Sequence, residues 1–570
     1  MKSFGRTAVA GLIYLLVIVI FFHVYFGSFS TALIGPPEDN MQEFWNTWYM
    51  QTKLDADPSG LLHTDKIFYP EGASLVYHSF SYPNLVAIYL VRCVVGLGTY
   101  VGTLIFLHNF FLLISFFFGA LGAYLLTRLY VRSEALAVLS GFIFGFSPFH
   151  LAHTLHHMHV SAITFVPFFV YFFLRYMREK KVYLAAAASV MWALAALSCW
   201  YYLVYIGYFV LFYYVFHAVK NRSLMPGETL LPAALITFFA LFLLSPLIVT
   251  MILQTGARSY LEGHDFFVAD LLGFITFHPY HLMAKIGRPL YSHFQGNHWE
   301  MTVYLGLANV AVLLFALFKK YCRKIENLGF FQAGILLFML LALGSWLHVG
   351  GYRVWLPLPT LLTEYIPVLK NVRTPSRAVI FVYLFTGVSV AMIAEYFLAG
   401  RKKITAAAAV GILAIVTFAD FFPTGLDSTP VVCPPAYALI NEDRAGDFGM
   451  INLPAGYLQD NKYMMQQAAC SPVPMANGSI GRKLAPSLID TLDFSDFEAQ
   501  KAELKRGGIK YILIHKKPAD ETVYYVYHDR HTHLHRLHRE ELAREMAAEY
   551  QRHYQLVHED EMTALLQVYH

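Results

Sequence analysis

The sequence predicts an all-α polytopic membrane protein with about eleven transmembrane helices over residues 1–425, followed by a small exported α/β domain over 426–570. Three observations carry this. Of 570 residues, 57% are hydrophobic and 14% charged, and apolar runs long enough to cross a bilayer recur as far as Phe422. The Lys/Arg clusters that punctuate those runs can all be placed on one side. Beyond Phe422 the chain turns polar and ordinary in composition. The net charge of +4 is small and dispersed, which argues against a nucleic-acid partner.

Residues 1–34 open with basic residues and an apolar run too long for a signal-peptide core, and no A-x-A-like site follows, so an uncleaved first span is expected. Six basic clusters come next into play: Lys2/Arg6, Arg128/Arg132, Arg175/Arg178/Lys180/Lys181, Lys220/Arg222, Lys319/Lys320/Arg323/Lys324 and Arg401/Lys402/Lys403. All six face the cytoplasm if spans lie near 7–27, 103–127, 133–149, 160–177, 182–199, 201–219, 230–252, 300–318, 329–348, 377–397 and 404–423. The expected protein is then multi-pass in a cytoplasmic (inner) membrane, with its N-terminus inside and its C-terminal domain outside. The segment Tyr82–Gly98 is short, carries Arg92 and would invert the later clusters, so it is expected to be re-entrant or interfacial; a crossing is the alternative. Four segments fall outside: a first loop (28–102), a His-rich turn (150–159), the loop Gln254–Trp299, and Val349–Ser376. In the C-terminal domain, Asp447–Leu453 and Gly508–His515 read as strands and Arg530–Gln567 as a charged helical tail. The five cysteines show no CxxC spacing; Cys433 and Cys470 share a soluble region, which leaves a disulfide between them open.

Four stretches could carry chemistry. In Gly35–Leu54, Met41, Phe44, Trp45, Trp48 and Tyr49 fall at helical spacing, which predicts an aromatic amphipathic helix lying in the membrane interface with Asp39 at its water boundary. Glu38 and Asp39 also suit plain caps of that helix. In HLAHTLHHMHV, His153, His156 and His157 can share one helical face, a set that suits a divalent metal (Mg, Mn or Zn) completed by Asp39 or Glu300, or a phosphate. An interfacial cluster bonded to water and backbone is the plain alternative. In NVRTPSRAVIF, Thr374 reads as an N-cap and Pro375 as the first helical residue, so Arg373 and Arg377 flank a helix start that favours anions. They form either a phosphate clamp or a snorkelling pair on ordinary lipid headgroups. The outer loop with Glu262, His264, Asp265, Asp270, His278 and His281 leads to GNHWEMTVYLG, which puts Glu300 at the mouth of the next span. FYPEG (68–72) reads as a Pro-nucleated turn.

The layout over residues 1–425, with the motifs DNxxxFWNxWxxxxxL, FYPEGxSLxxH and SPxHLAHxxHH, resembles the GT-C glycosyltransferases and, among them, a bacterial branch. The resemblance implies a polyprenyl-phosphate-sugar donor, a glycan, lipid or protein acceptor, and inverting transfer on the periplasmic face among membrane lipids. It puts the catalytic base at Asp39, with Glu38 or Glu43 as fallback, and lets Arg373 and Arg377 hold the donor phosphate. His153, His156, His157 and Glu300 then meet acceptor or phosphate. Where the family often has an acidic metal ligand this chain has histidines, so His153, His157 and Glu300 are the set that would hold a metal if one binds. One base suffices because polyprenyl phosphate leaves as a stable anion, unlike the alcohol a glycosidase must protonate. The rival expectation is a transporter or lipid flippase without transfer chemistry, against which stands the lack of a paired repeat in the sequence.

Overall fold

The computed structural model describes residues 2–223, 227–254, 265–366, 369–443, 447–455, 458–517 and 532–569. Among them, seven helices are long and apolar enough to cross a membrane: Gly5–Tyr25, Val101–Thr127, Met158–Glu179, Trp200–Asn221, Leu230–Leu253, Pro375–Leu398 and Lys403–Phe421. Glu134–Gly145 and Pro148–Thr154, bent by 43°, make an eighth if counted as one span. The other three expected spans fall on shorter apolar helices, Val182–Ser198, Leu307–Phe318 and Leu328–Ala342. Leu307–Phe318 reaches only about 18 Å at 1.5 Å per residue, short of a hydrocarbon core of about 30 Å. It starts later than residue 300 because Gly306 holds a φ of +86° and Asp420 accepts the Leu307 N–H at 2.9 Å, which caps the helix there.

The chain divides into two compact units: Met1–Phe26, Phe111–Val249 and Arg258–Leu426 form one, and Gly27–Phe110, Thr250–Ala257 and Asp427–His570 the other. The segment expected as the first exterior loop therefore folds with the C-terminal residues.

The first unit is built around Pro375–Leu398, whose apolar stretch is 89% buried, against 11% for Lys403–Phe421 at the periphery. It packs on Glu134–Gly145 and Leu328–Ala342, with Phe338 stacked on Phe381 at 4.3 Å. Gly387 permits the close approach, since a Cβ there would meet the Ser140 carbonyl oxygen at 2.8 Å. Arg6 and Arg128 both reach Glu134, at 3.2 and 2.9 Å, and Arg178 lies 4.6 Å over the Tyr130 ring. Three of the six basic clusters thus gather at one end of this unit.

The second unit holds a four-stranded sheet in the order Gly449–Leu453, Ile509–His515, Thr563–Gln567, Gln555–Glu559; the first pair is parallel and the rest antiparallel. The two expected strands are present. The expected helical tail is not continuous: Thr532–Tyr550 is a helix, but Gln555–Glu559 and Thr563–Gln567 form a hairpin, and Arg530 lies outside the described residues. Asp560 tightens the turn by accepting the N–H groups of Met562 and Thr563, each at 2.7 Å, and Ala564, Leu565 and Leu566 bury against the sheet. Tyr82–Val95 is a helix of 14 residues, too short to cross, with Arg92 paired to Asp55 at 2.5 Å. Cys433 and Cys470 are disulfide-bonded, with Cα atoms 5.5 Å apart.

Helix Asp39–Ala56 also differs from expectation. Its aromatic face is core, not interface: Phe44 and Trp45 are fully buried, and the helix is packed between Tyr82–Val95 and Leu458–Gln467. Asn40 anchors its start, its side-chain amide donating to the carbonyls of Ile34 and Gly35 and to Thr429 Oγ1 at 3.2–3.3 Å. This ties it to the antiparallel pair Ala32–Ile34 and Ser428–Pro430.

The sheet carries a pH-sensitive group. His515 is buried, with Nε2 2.9 Å from Asn452 Oδ1, and burial pulls its pKa from 6.5 down to about 4. Because the folded value lies below the unfolded one, the unfolded chain binds the extra proton between them, so stability is full above pH 6.5 and declines as pH falls toward 4. The expected loss from this group between pH 7 and 5 is about 2 kcal/mol. Thermal unfolding of wild type and His515→Gln at the two pH values checks it; an unchanged acid-side loss in the variant counts against this residue.

Candidate active site

In the first unit, the polar residues meet at Glu300, which is 1% exposed. Its carboxylate accepts from Arg377 Nε at 2.9 Å, from Arg377 Nη2, and from Ser376 Oγ at 2.9 Å, while its own N–H donates to Asn297 Oδ1. His153 Nε2 stands 3.7 Å from Glu300 Oε2, and His153 Nδ1 lies 3.4 Å from His157 Nδ1. His156 stacks on Trp299 at 4.0 Å, and its Nε2 is 3.0 Å from the Tyr280 hydroxyl. The Arg377 guanidinium sits 4.6 Å over the Tyr201 ring. Five of the nominated residues (His153, His156, His157, Glu300 and Arg377) are thus brought together and withdrawn from water.

Local sequence explains each position. Ser147 accepts the His150 N–H and Pro148 opens a short helix that ends at Thr154, so the histidine run does not lie on one helical face. Its three imidazoles converge through the turn at 155–157 instead, and His157 precedes the next helix, Met158–Ser161. Pro375 starts a 3₁₀ turn, Pro375–Ala378, that runs into Val379–Leu398 and turns Ser376 and Arg377 onto Glu300. Thr374 occupies the N-cap position but its hydroxyl makes no capping bond; its carbonyl accepts from Tyr205 at 3.0 Å. Arg373 is half-buried, 5.9 Å over the Phe267 ring, and among the described residues it faces no carboxylate.

The polar groups of the loop that precedes Glu300 divide by role. Asp270 accepts the N–H groups of Leu272, Gly350 and Gly351 at 2.8–2.9 Å, so it braces the loop. Asp265 pairs with Arg353 at 3.0 Å, and His281 with Asp420 at 3.2 Å. His278 is buried with neither ring nitrogen bonded among the described residues, and burial holds its pKa down near 3. Glu262 and His264 lie outside the described residues.

Among the described residues no group of three or more His, Cys, Asp or Glu side chains is arranged to hold a metal ion. The set His153, His157 and Glu300 fails on its donors: Arg377 and Ser376 take up the Glu300 carboxylate, and the two imidazoles face each other through Nδ1.

In the second unit, Asp39 lies in the first turn of its helix and forms an ion pair with Lys462 of helix Leu458–Gln467. Asp39, Gln42, Glu43 and Asn46 fall at i, i+3, i+4 and i+7 and make a second, polar stripe, in which Glu43 and Asn46 are buried and Asp39 and Gln42 half-buried. Gln42 accepts from Ser479 Oγ at 3.2 Å, Asn46 donates to Glu43 at 3.3 Å, and Asn46 Oδ1 lies 2.7 Å from His78 Nε2. Glu38 stands at the N-cap position, is buried, and makes no capping bond. Sequence reasoning found the aromatic stripe and missed this one, although both repeat at the same spacing. Lys462 carries no local mark; only the tertiary packing identifies it.

A family model described as "Domain of unknown function (DUF6311)" matches residues 8–422. The chain belongs to the DUF6311 family. No curated protein matches it. Among solved structures, the DUF6311 chain is similar to the apo oligosaccharyltransferase of Archaeoglobus fulgidus, at TM-score 0.52 and 12% identity, over 90% of this chain and 70% of that one. It is also similar to the archaeal oligosaccharyltransferase AglB from the same organism in complex with an inhibitory peptide and a dolichol-phosphate, at TM-score 0.50 and 11% identity, over 91% and 70%. Apo ArnT from Cupriavidus metallidurans aligns over 100% and 99% at TM-score 0.44 and 10% identity. At such identities the oligosaccharyltransferase likeness speaks for the fold alone, and the fold of this DUF6311 member is the GT-C fold.

Proposed function

We propose that this protein is a membrane glycosyltransferase that moves a sugar from a polyprenyl-phosphate-linked donor to an acceptor hydroxyl on the periplasmic face, with inversion and with Asp39 as general base. The observation that carries the reading is Asp39 itself: a carboxylate with a quarter of its side chain exposed, set among buried polar groups and steadied by an ammonium. The GT-C fold and the dolichol-phosphate bound to AglB support the donor class. In the step, the acceptor O–H gives its proton to Asp39 while its oxygen attacks the anomeric carbon. The bond from that carbon to the phosphate oxygen breaks, and polyprenyl phosphate leaves as an anion. Arg373 is assigned to that phosphate, since no carboxylate among the described residues neutralises it. Arg377, tied to Glu300, assists from a neutral pair. The histidines beside Glu300 are assigned to the acceptor or phosphate oxygens.

Full-length protein in nanodiscs should bind undecaprenyl phosphate, detected by native mass spectrometry, and Arg373→Ala should weaken that binding roughly tenfold or more. Absence of binding, or equal binding by the variant, counts against the donor site.

A further inference from the structure

Lys462 and Lys510 are two lysines of the second unit almost wholly withdrawn from water, with 7% and 8% of their side chains exposed; Lys510 pairs with Asp443, and Lys462 is the one whose ion-pair partner is Asp39. It arrives from the distant C-terminal segment on helix Leu458–Gln467, which packs along helix Asp39–Ala56. An ammonium buried in this way is disfavoured unless a close carboxylate offsets it, and here that carboxylate is Asp39.

The charges around Asp39 give the ammonium a task. On its own helix, the buried carboxyl groups of Glu38 and Glu43 lie one residue before it and one turn after it. On the packed helix, the buried Asp460 accompanies Lys462. Helix Tyr82–Val95 contributes only Arg92, which pairs with Asp55 near the other end of the helix. The strand Ala32–Ile34 and the turn Ala468–Cys470, which also touch the helix, bring no charged side chain. Where ionised, Glu38 and Glu43 disfavour a negative charge at Asp39, Asp460 falls on a different face of its helix from Lys462, and Lys462 is a cation paired with Asp39. Like charges and burial both push a carboxyl toward its neutral form, and a contacting ammonium opposes them.

Resting on the assignment of Asp39 as base, we propose that Lys462 is its positioning residue: it contacts Asp39 Oδ1 and keeps the carboxylate ionised beside acidic neighbours. The C-terminal segment is then part of the transferase machinery rather than an appended cover. When Asp39 takes the acceptor proton the pair loses its charge partner, so the proton is returned to water readily and the base is reset.

The test uses full-length protein in nanodiscs and reads the ionisation of Asp39 directly. Infrared titration follows the protonated-carboxyl C=O band that disappears in Asp39→Asn. In Lys462→Gln the midpoint of this band should rise by at least about one pH unit, and in Lys462→Arg it should stay near the wild-type value. The acid limb of the rate of polyprenyl-phosphate release should move by the same amount in Lys462→Gln. An unmoved midpoint in folded Lys462→Gln overturns the proposal whatever happens to the rate. If instead Asp39→Asn retains full transfer while the midpoint shifts as stated, it is the base assignment that fails. Should Lys462→Gln not fold, a midpoint in Lys462→Met equal to that of wild type overturns the proposal in the same way.

Discussion

Replacing Asp39 by Asn should lower the release of polyprenyl phosphate from a polyprenyl-phosphate sugar by at least about a hundredfold, the scale of a lost general base. That product is the same whatever the sugar and acceptor, so the assay needs neither identity. Asn keeps the size and hydrogen-bonding outline of the side chain while removing the proton acceptor. It also strands Lys462, whose side chain is 7% exposed, beside a neutral amide, and a buried charge robbed of its partner destabilises strongly. Stability and chemistry are therefore separated by the double variant Asp39→Asn/Lys462→Met, in which the stranded charge is gone. Stability should recover there and transfer should not. Near-normal transfer by folded Asp39→Asn would refute the base assignment and leave the transferase reading to rest on another residue.

What the sequence discloses about this chain is what repeats locally. The eleven apolar stretches are visible as runs, and each falls on a helix, because burial in lipid or protein is written in consecutive residues. Helix Asp39–Ala56 is visible from Met41, Phe44, Trp45, Trp48 and Tyr49. Its environment is not: the same aromatic stripe serves a bilayer interface or a protein core, and only helices Tyr82–Val95 and Leu458–Gln467 decide for the core. The hairpin Gln555–Gln567 is hidden for a related reason. Its strands are five residues each and polar on one side, so their pairing depends on the open edge of Ile509–His515. The pairs Asp39–Lys462 and Glu300–Arg377 join residues far apart in the chain, and no local pattern announces either partner. Glu300 and Arg377 are each conspicuous in the sequence for position, one before a span and one at a helix start. That they neutralise each other is a fact of packing.

That neutralisation sets the second large effect. Glu300→Gln should destabilise the protein by about 3–5 kcal/mol, because it leaves the Arg377 guanidinium buried without a counter-charge. The arrangement around it offers little relief: Arg377 is 7% exposed, Ser376 loses its carboxylate acceptor, and the nearest other polar ring, His153, is itself buried. Stacking over Tyr201 contributes only about 0.5–2 kcal/mol and cannot replace a bidentate carboxylate. The partner variant Arg377→Met should be nearly as costly, since it buries a bare carboxylate. The double variant Glu300→Gln/Arg377→Met, which removes both charges, should recover most of the loss, giving a coupling well above the few tenths found for distant sites. Thermal unfolding of the four proteins in nanodiscs measures the cycle. The same four proteins also sort structure from binding: if Arg373 carries the donor phosphate, the double variant should bind undecaprenyl phosphate within severalfold of wild type while Arg373→Ala does not. A folded Glu300→Gln that loses less than about 1 kcal/mol shows that water or another hydrogen-bond acceptor reaches Arg377, and the buried pair is then not what holds this end of Pro375–Leu398 in place.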